Sequence, residues 1–275
     1  MGLFSALKKK RTEFWNNNNA KMQKYEDEKT AIMSEALSEV FTDFEYKLKG
    51  TIKREIIRDA ELVDGWSASN DRTDPKEGFR IVGNDYFRGK YKGRELEYCN
   101  AEIRKYWTET ETDENWNVTE IEDWRQLFRG MWITCKLGKP VPAIVRVREK
   151  KGIFSSIGDS KRKKAKGDVE TENLAFNEQF EILTGDAHEA FKIITPHFME
   201  LILSADSKAR SRTMLCFAGN RIHIALERSK FLFELNSVSS IDADELKLLV
   251  LKDIKYLTDI LDELFQNEYL FGSDA

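Results

Sequence analysis

Residues 20–62 carry an apolar side chain at almost every third or fourth position, and charged residues fill most of the positions between them. This spacing places one apolar stripe on one face of a helix, so the sequence predicts a helix over residues 20–62. Such a stripe has to be buried, and the candidates are a C-terminal helix, a second copy of the chain or a sheet. The stripe consists of Met22, Tyr25, Ile32, Leu37, Phe41, Phe44, Leu48, Ile52, Ile56 and Leu62.

The helical period stops at residues 64–78, where glycine, proline and polar residues cluster. Such a composition is typical of a connecting segment. The sequence therefore predicts three parts, which are a helical segment over 1–63, a linker over 64–78 and a folded domain over 79–275.

The domain begins with alternating apolar and polar residues, a pattern typical of strands. Residues 86–91 and 95–99 flank Lys92-Gly93, which predicts a β-hairpin. An acidic loop is expected over 108–122. After it, the pattern predicts a strand over 127–135 with a partner strand over 143–148.

Helix signals appear in the second half of the domain. Asp186 and Glu189 form a capping-box pattern, and Thr195-Pro196 predicts the start of a second helix. Strands are expected over 176–183 and 231–235, a hairpin over 213–226, and a C-terminal helix from about 242 to 266. Strands and helices do not alternate strictly, so the predicted fold is α+β: a long N-terminal helix, a mostly antiparallel sheet with an inserted helix pair, and a C-terminal helix.

Three stretches of the chain resemble a known family. They are Leu127-Phe128-Arg129-Gly130, the segment from Asn173 to Ala190, and Ile194-Thr195-Pro196-His197-Phe198-Met199-Glu200. Together they resemble the bacterial family catalogued as domain of unknown function 3137, over roughly residues 79–235. The resemblance implies no activity and no catalytic residues. Many members carry membrane spans after an N-terminal helix, whereas residues 50–66 here are too polar to span a membrane.

The overall charge is −4, from 44 basic and 48 acidic residues. This balance makes nucleic acid an unlikely partner, because nucleic-acid-binding domains carry a basic excess. The three cysteines, Cys99, Cys135 and Cys216, lack the spacing of a zinc site or a disulfide framework, and we predict no metal and no cofactor. At the N-terminus, charged residues follow a short apolar run, which is the reverse of a signal peptide, so we expect a cytoplasmic protein.

Two basic runs are candidates for contact with an anionic membrane surface, which would place the protein at the inner face of the membrane. The alternative is that both runs are solvated. Their members are Lys8, Lys9, Lys10 and Arg11 in the first run, and Lys161, Arg162, Lys163, Lys164 and Lys166 in the second.

Catalytic candidates are sparse. His188 and His197 lie near two predicted helix starts and can be neighbours, while the alternation around His223 predicts that it faces solvent. The carboxylates of Glu95, Glu97 and Glu102 on adjacent strand segments resemble part of a metal-dependent nuclease core, although charges on a solvated sheet face explain them as well.

Tryptophans cluster around the acidic loop. Trp132 is expected in the core, whereas Trp116 and Trp124 either cover the sheet or line a groove.

Three functions follow from these patterns. The leading hypothesis is a non-enzymatic binding or scaffold protein that pairs with a protein partner, or with itself, through a coiled coil of the helix 20–62. The alternatives are a peripheral membrane protein and an enzyme with an unrecognised site. Ligand, partner and pathway are not encoded in any motif of the chain.

Overall fold

The computed structural model describes residues 2–71, 76–112, 116–150, 168–209, 211–234 and 243–272, with side chains from Ala20 onward, Asp168 and Lys208 excepted. In chain order the elements are α1 (Gly2–Ser38), β1 (Thr42–Lys49), α2 (Arg54–Asp59), β2 (Glu77–Tyr91), β3 (Arg94–Thr112), β4 (Val118–Glu149), β5 (Asp168–Val169), α3 (Leu174–Gln179), β6 (Phe180–Thr184), α4 (Ala187–Ile193), α5 (Pro196–Ala209), β7 (Thr213–Glu227), α6 (Ala243–Leu264) and α7 (Glu268–Phe271).

One sheet of seven strands organises the chain. Its order is β1-β2-β3-β4-β6-β5, with β7 paired to β4. All strand pairs among the described residues are antiparallel. The expected α+β class with a mostly antiparallel sheet is confirmed, and helices α4 and α5 lie between β6 and β7.

One face of the sheet carries the helices. Alternate residues such as Tyr98, Ile133, Phe217 and Ile224 point to this face and join a single buried apolar cluster with α1, α4, α5, α6 and α7. The predicted C-terminal helix is confirmed as α6. Its buried residues are Leu246, Val250, Ile254, Leu257, Ile260, Leu261 and Leu264.

The opposite face is covered by the segment from Ile52 to Trp66, which includes α2. Its apolar residues pack on the other set of strand side chains, among them Trp132 and Cys216. Two arginines of β4 hold this cover in place: Arg146 donates from Nε to the carbonyl of Ala60 (2.8 Å), and Arg148 binds Asp64 (2.8 Å).

The predicted helix over residues 20–62 is wrong beyond Ser38. Helix α1 ends there, and β1 pairs with β2 along the edge of the sheet. Phe44 and Leu48 fit a helical stripe, but together with Tyr46 they also fit a period of two, because charged residues separate the three. Pairing with β2 decides in favour of the strand. The segment predicted as 1–63 and the domain predicted as 79–275 therefore share one sheet.

The Lys92-Gly93 hairpin is confirmed. Tyr91 pairs with Arg94, and both turn residues have positive φ (47° and 74°), as a type I′ turn requires.

The predictions for β4 and β7 are wrong in a consistent way. Residues 143–148 do not fold back on 127–135, since both belong to β4, and 213–226 is one strand rather than a hairpin. The two turn-like segments lie opposite each other instead, with Val141 paired to Gly219 and a register shift on either side. The extra residues belong to β4, where 137–140 lie opposite the single Asn220 and 142–144 lie opposite the single Ala218.

The predictions for the caps and the shorter strands are only partly confirmed. The caps are confirmed: Asp186 accepts from the amide of Glu189 (3.1 Å), and Thr195 accepts from that of Phe198 (3.2 Å). The strand predicted over 176–183 is half wrong, because its first residues form α3. Residues 231–234 form a buried turn rather than a strand, and 235 lies outside the described residues.

Among the described helices, none contains an apolar stretch long enough to cross a membrane.

Candidate functional site: a projecting acidic β-arm

The end of β3 and the start of β4 extend past the rest of the sheet. Strand β2 accompanies β3 only as far as Trp107, and β7 joins β4 only from Gly130 onward. Between these limits, β3 and β4 pair with each other up to Thr112 and Val118. We call residues 104–112 and 116–126 the β-arm. The acidic loop predicted over 108–122 is therefore wrong for the described residues, which are mostly strand.

Apolar side chains are exposed on the β-arm. Trp116 is 86% exposed and Trp124 47%, and Val118 and Ile121 are also exposed. These are four of the eleven large apolar side chains exposed in the described part of the chain. The expected core position of Trp132 is confirmed, whereas the interpretation of Trp116 and Trp124 as a cover for the sheet is wrong, because neither side chain is buried there.

Polar contacts fix one face of the β-arm to the body of the sheet. Arg80 of β2 donates to both carboxylate oxygens of Glu122 (2.5 and 2.7 Å), and these hydrogen bonds lower the pKa of Glu122. Lys76 binds Glu120 (2.6 Å). The guanidinium of Arg104 lies 4.0 Å from the ring centre of Trp124, a cation–π geometry.

Helix α1 is attached to the sheet by a buried polar network. The ammonium of Lys29 lies 2.8 Å from the carboxylate of Asp85, and both side chains are almost fully buried. Tyr46 and Asn100 donate to the same carboxylate (2.8 and 3.1 Å), and Tyr98 donates to Asn100 (2.9 Å). Asp85 occupies a β-bulge of β2 with a φ of 52°. A bulge re-aims a strand side chain, which brings this carboxylate under α1.

This attachment changes the interpretation of the amphipathic helix. The apolar residues Tyr25, Met33, Ala36 and Leu37 of α1 are buried within the chain's own core. Helix α1 packs against β1 and α6, and Lys247 of α6 binds Glu35 (2.9 Å). Two of the predicted neighbours for the stripe, the C-terminal helix and the sheet, are in contact with α1. Pairing with a second copy stays a prediction.

The predicted carboxylates do not form one site. Glu95 and Glu97 line a groove of about 480 Å³ beside α2, where Glu97 accepts from Tyr86 (3.1 Å) and Arg221 (3.2 Å). Burial, followed by the charge of Glu97, raises the pKa of Tyr86 to about 12. Glu102 lies on the opposite face of β3 by the alternation of the strand.

Glu102 itself is held between two guanidinium groups. Arg104 and Arg129 both donate to its carboxylate. Burial alone raises the pKa of this carboxyl, but the hydrogen bonds from the two arginines outweigh it, and the pKa falls below its usual value.

The three histidines differ in their exposure to solvent. His188 and His197 lie on the surface, on α4 and α5. The prediction that His223 faces solvent is wrong, because the segment from Ile52 to Trp66 covers this face of the sheet. The imidazole is buried beside Trp132, with 6.3 Å between the ring centres. Burial lowers its pKa to about 4, and the positive charge of Arg221 adds to the shift. Within the described ranges, His, Cys, Asp and Glu form no cluster of three suited to a metal ion.

The predicted membrane contacts stay predictions. The side chains of Lys8, Lys9, Lys10 and Arg11 and the whole of the second basic run, Lys161, Arg162, Lys163, Lys164 and Lys166, lie outside the described residues. The three cysteines are free and buried, and burial raises the pKa of each thiol.

The fold defines a single-sheet α+β protein whose β-arm leaves the sheet, and comparison with known proteins gives its family. Residues 126–265 match the family described as protein of unknown function (DUF3137), and because the match covers half of the chain, the chain belongs to this family. The sequence-based resemblance to that family is confirmed.

Two further comparisons concern curated proteins and solved structures. No curated protein matches the chain. A solved structure, titled crystal structure of the mycobacterial trehalose monomycolate transport factor A, TtfA, aligns with 12% identity over 86% of this chain and 95% of that chain, with a TM-score of 0.37. A similarity of this size carries no conclusion about this chain.

Proposed function

We propose that this protein is a non-enzymatic binding module whose contact surface is the β-arm and whose partner is a protein with a basic surface. The observation that carries the proposal is the exposure of Trp116, Val118, Ile121 and Trp124 within nine residues. Tryptophan is enriched at the energetic centres of protein interfaces. Val118 and Trp124 lie on one face of β4 by the alternation of the strand, and exposed apolar side chains that share a face are typical of an interaction site.

Charge indicates which partner is suited to this surface. Residues 104–126, which span the β-arm, contain seven acidic residues against three basic ones, Arg104, Lys105 and Arg125. Within the described part of the chain, Lys76 and Arg80 neutralise two of these acids, Glu120 and Glu122. A partner with basic side chains around an apolar contact would therefore be attracted electrostatically, and a partner with an acidic surface would be repelled.

The proposal replaces the helix 20–62 as the contact surface. The apolar residues Tyr25, Met33, Ala36 and Leu37 of α1 are buried in the chain's own core. Trp116, Val118 and Trp124 of the β-arm are exposed, which supports the β-arm as the contact surface. The dispersal of the histidines and carboxylates over separate places supports a binding role rather than catalysis.

Photo-cross-linking tests the proposal. A photoreactive amino acid replaces Trp116 in the full chain, and the matched control carries it in place of Leu174, which is 76% exposed and lies on α3, an element outside the β-arm. We expect a defined adduct from position 116 that is absent from position 174, with a protein whose contact surface is basic. With the purified partner, Trp116→Ser should weaken binding at least tenfold and Leu174→Ser should leave it unchanged.

Equal adducts from both positions, or an affinity that is insensitive to Trp116→Ser, would refute the proposal. The absence of any adduct specific to position 116 would count against it as well.

A further inference from the structure

Strand β4 has an unpaired edge within the β-arm. From Val118 to Gln126 its residues pair in unbroken register with β3, from Thr112 back to Arg104. On its other side, β7 begins to pair at Gly130, so among the described strands nothing is hydrogen-bonded to this edge. Nine residues of strand span about 30 Å. About half of their backbone N–H and C=O groups point away from β3 in an antiparallel ladder.

The edge is held in a strand conformation before any partner arrives. Arg80 donates two hydrogen bonds to Glu122, and the guanidinium of Arg104 lies 4.0 Å from the ring centre of Trp124. Lys76 binds Glu120 two residues away. Each of these contacts ties a β4 side chain to β2, to β3 or to the residue before β2. A strand that is already ordered loses less conformational entropy on binding than a flexible loop does.

A second copy of the chain fits this edge poorly. If Val118–Gln126 paired antiparallel with the same segment of a second copy, centred on Glu122, the two Glu122 side chains would lie directly opposite each other. Like charges across a strand pair are destabilising. The edge carries three acids, Glu120, Glu122 and Asp123, against one base, Arg125, and this acidic excess favours an extended segment with basic side chains instead.

We propose that the partner binds by strand addition: an extended, lysine- or arginine-rich segment pairs with the edge of β4 over Val118–Gln126, and its apolar residues contact Trp124 and Val118. This inference rests on the proposed function and specifies how the β-arm recognises its partner. Backbone hydrogen bonds along the edge supply sequence-independent affinity in such complexes, and alternate side chains supply specificity.

Three synthetic peptides serve as probes for the full chain. The first alternates lysine and valine over nine residues, the second replaces each lysine by glutamate, and the third is the lysine peptide with proline at two internal positions. We expect the lysine–valine peptide to bind, with an affinity at least fivefold lower at 500 mM than at 50 mM salt. The proline peptide should bind at least tenfold more weakly, because proline cannot complete a ladder. The glutamate peptide should not bind.

Amide hydrogen exchange locates the contact. Saturating lysine–valine peptide should slow exchange within residues 118–126 and leave β1, the strand at one end of the sheet, unchanged. The variant Thr119→Lys places a positive charge near the Val118 end of the edge and should weaken binding at least fivefold. The same substitution at the exposed Thr30 of α1 is the matched control and should have no effect.

Each outcome bears on one of the two proposals. Equal binding of the lysine and proline peptides, or protection that appears outside residues 118–126, would overturn strand addition. If the cross-link from position 116 still identified a partner in that case, the β-arm would remain the contact surface. If both experiments failed, both proposals would be refuted.

Discussion

Burial of His223 predicts a loss of stability in acid. Its imidazole has a pKa of about 4 in the folded chain, against 6.5 in an unfolded one. Above pH 6.5 the ring is neutral in both states and contributes nothing to the pH dependence. As the pH falls from 6.5 to 4, the unfolded chain binds a proton that the folded chain does not, so the free energy of unfolding decreases.

The size of the effect follows from the two pKa values. Each unit of difference corresponds to about 1.4 kcal/mol, so the full contribution is about 3 kcal/mol well below pH 4, and most of it is already present at pH 4.5. The pKa of about 4 already includes the neighbouring charges, of which Arg221 lowers it and Asp59 raises it.

Urea unfolding of the wild type and of His223→Gln at pH 7.5 and 4.5 measures this contribution. The carboxylates titrate in both proteins, so the difference between their pH-dependent losses isolates the histidine. We expect the wild type to lose about 2–3 kcal/mol more than the variant between the two pH values. The NMR signal that disappears in His223→Gln should also show no titration between pH 7 and 5. Equal losses in both proteins, or a titration of that signal near pH 6.5, would refute the reasoning.

Three substitutions test other parts of the structure by urea or thermal unfolding. Lys29→Met should cost about 3–5 kcal/mol, because it leaves the carboxylate of Asp85 buried without its cation, and a loss below 1 kcal/mol would show that the pair is not buried. Gly130→Ala should destabilise by more than about 3 kcal/mol, since its Cβ would lie 1.9 Å from the carbonyl oxygen of Leu226; near-wild-type stability would contradict this close approach. Trp116→Ala should change stability by less than about 0.5 kcal/mol, as its side chain is 86% exposed, and a larger loss would mean that the indole packs on the sheet.

The sequence was informative where one signal had one interpretation. The Lys92-Gly93 turn, the caps at Asp186 and Thr195 and the apolar face of α6 each followed from local patterns. Each depends on residues close together in the chain. The family resemblance was also carried by short stretches, and the family match confirms it.

The sequence misled where two periods fitted the same residues or where a turn signal lay inside a strand. Phe44 and Leu48 are compatible with a helix and, together with Tyr46, with a strand, and pairing with β2, which no local pattern reports, decides between them. The glycine and proline residues near Val141 and Gly219 have the composition of loop tips, yet they face each other within a ladder.

The β-arm was recognised only in part. The acidic run and the clustered tryptophans were visible in the sequence, but acidity made residues 108–122 resemble a loop. The strict alternation of Thr and Glu over 108–112 is the signal that would have indicated the first strand. The apolar residues of the second strand, Val118, Ile121 and Trp124, recur at every third position and therefore do not show the period of a strand. The burial of His223 was invisible for a different reason: alternation predicts one solvated face, whereas this sheet is covered on both sides.

The irregularity of β4 opposite β7 affects how the chain can change length. A one-residue insertion near Val141 would shift its register against Gly219, and every later side chain of β4 would then face the wrong layer. Arg146 and Arg148, which bind the segment from Ile52 to Trp66, would then point toward the helices on the other face of the sheet. Sequences of different length should therefore be tolerated at the tip of the β-arm but not at residues 138–142 or 218–220, although all three places have a turn-like composition. Within the family, gaps in aligned sequences should avoid the two internal segments unless both change together.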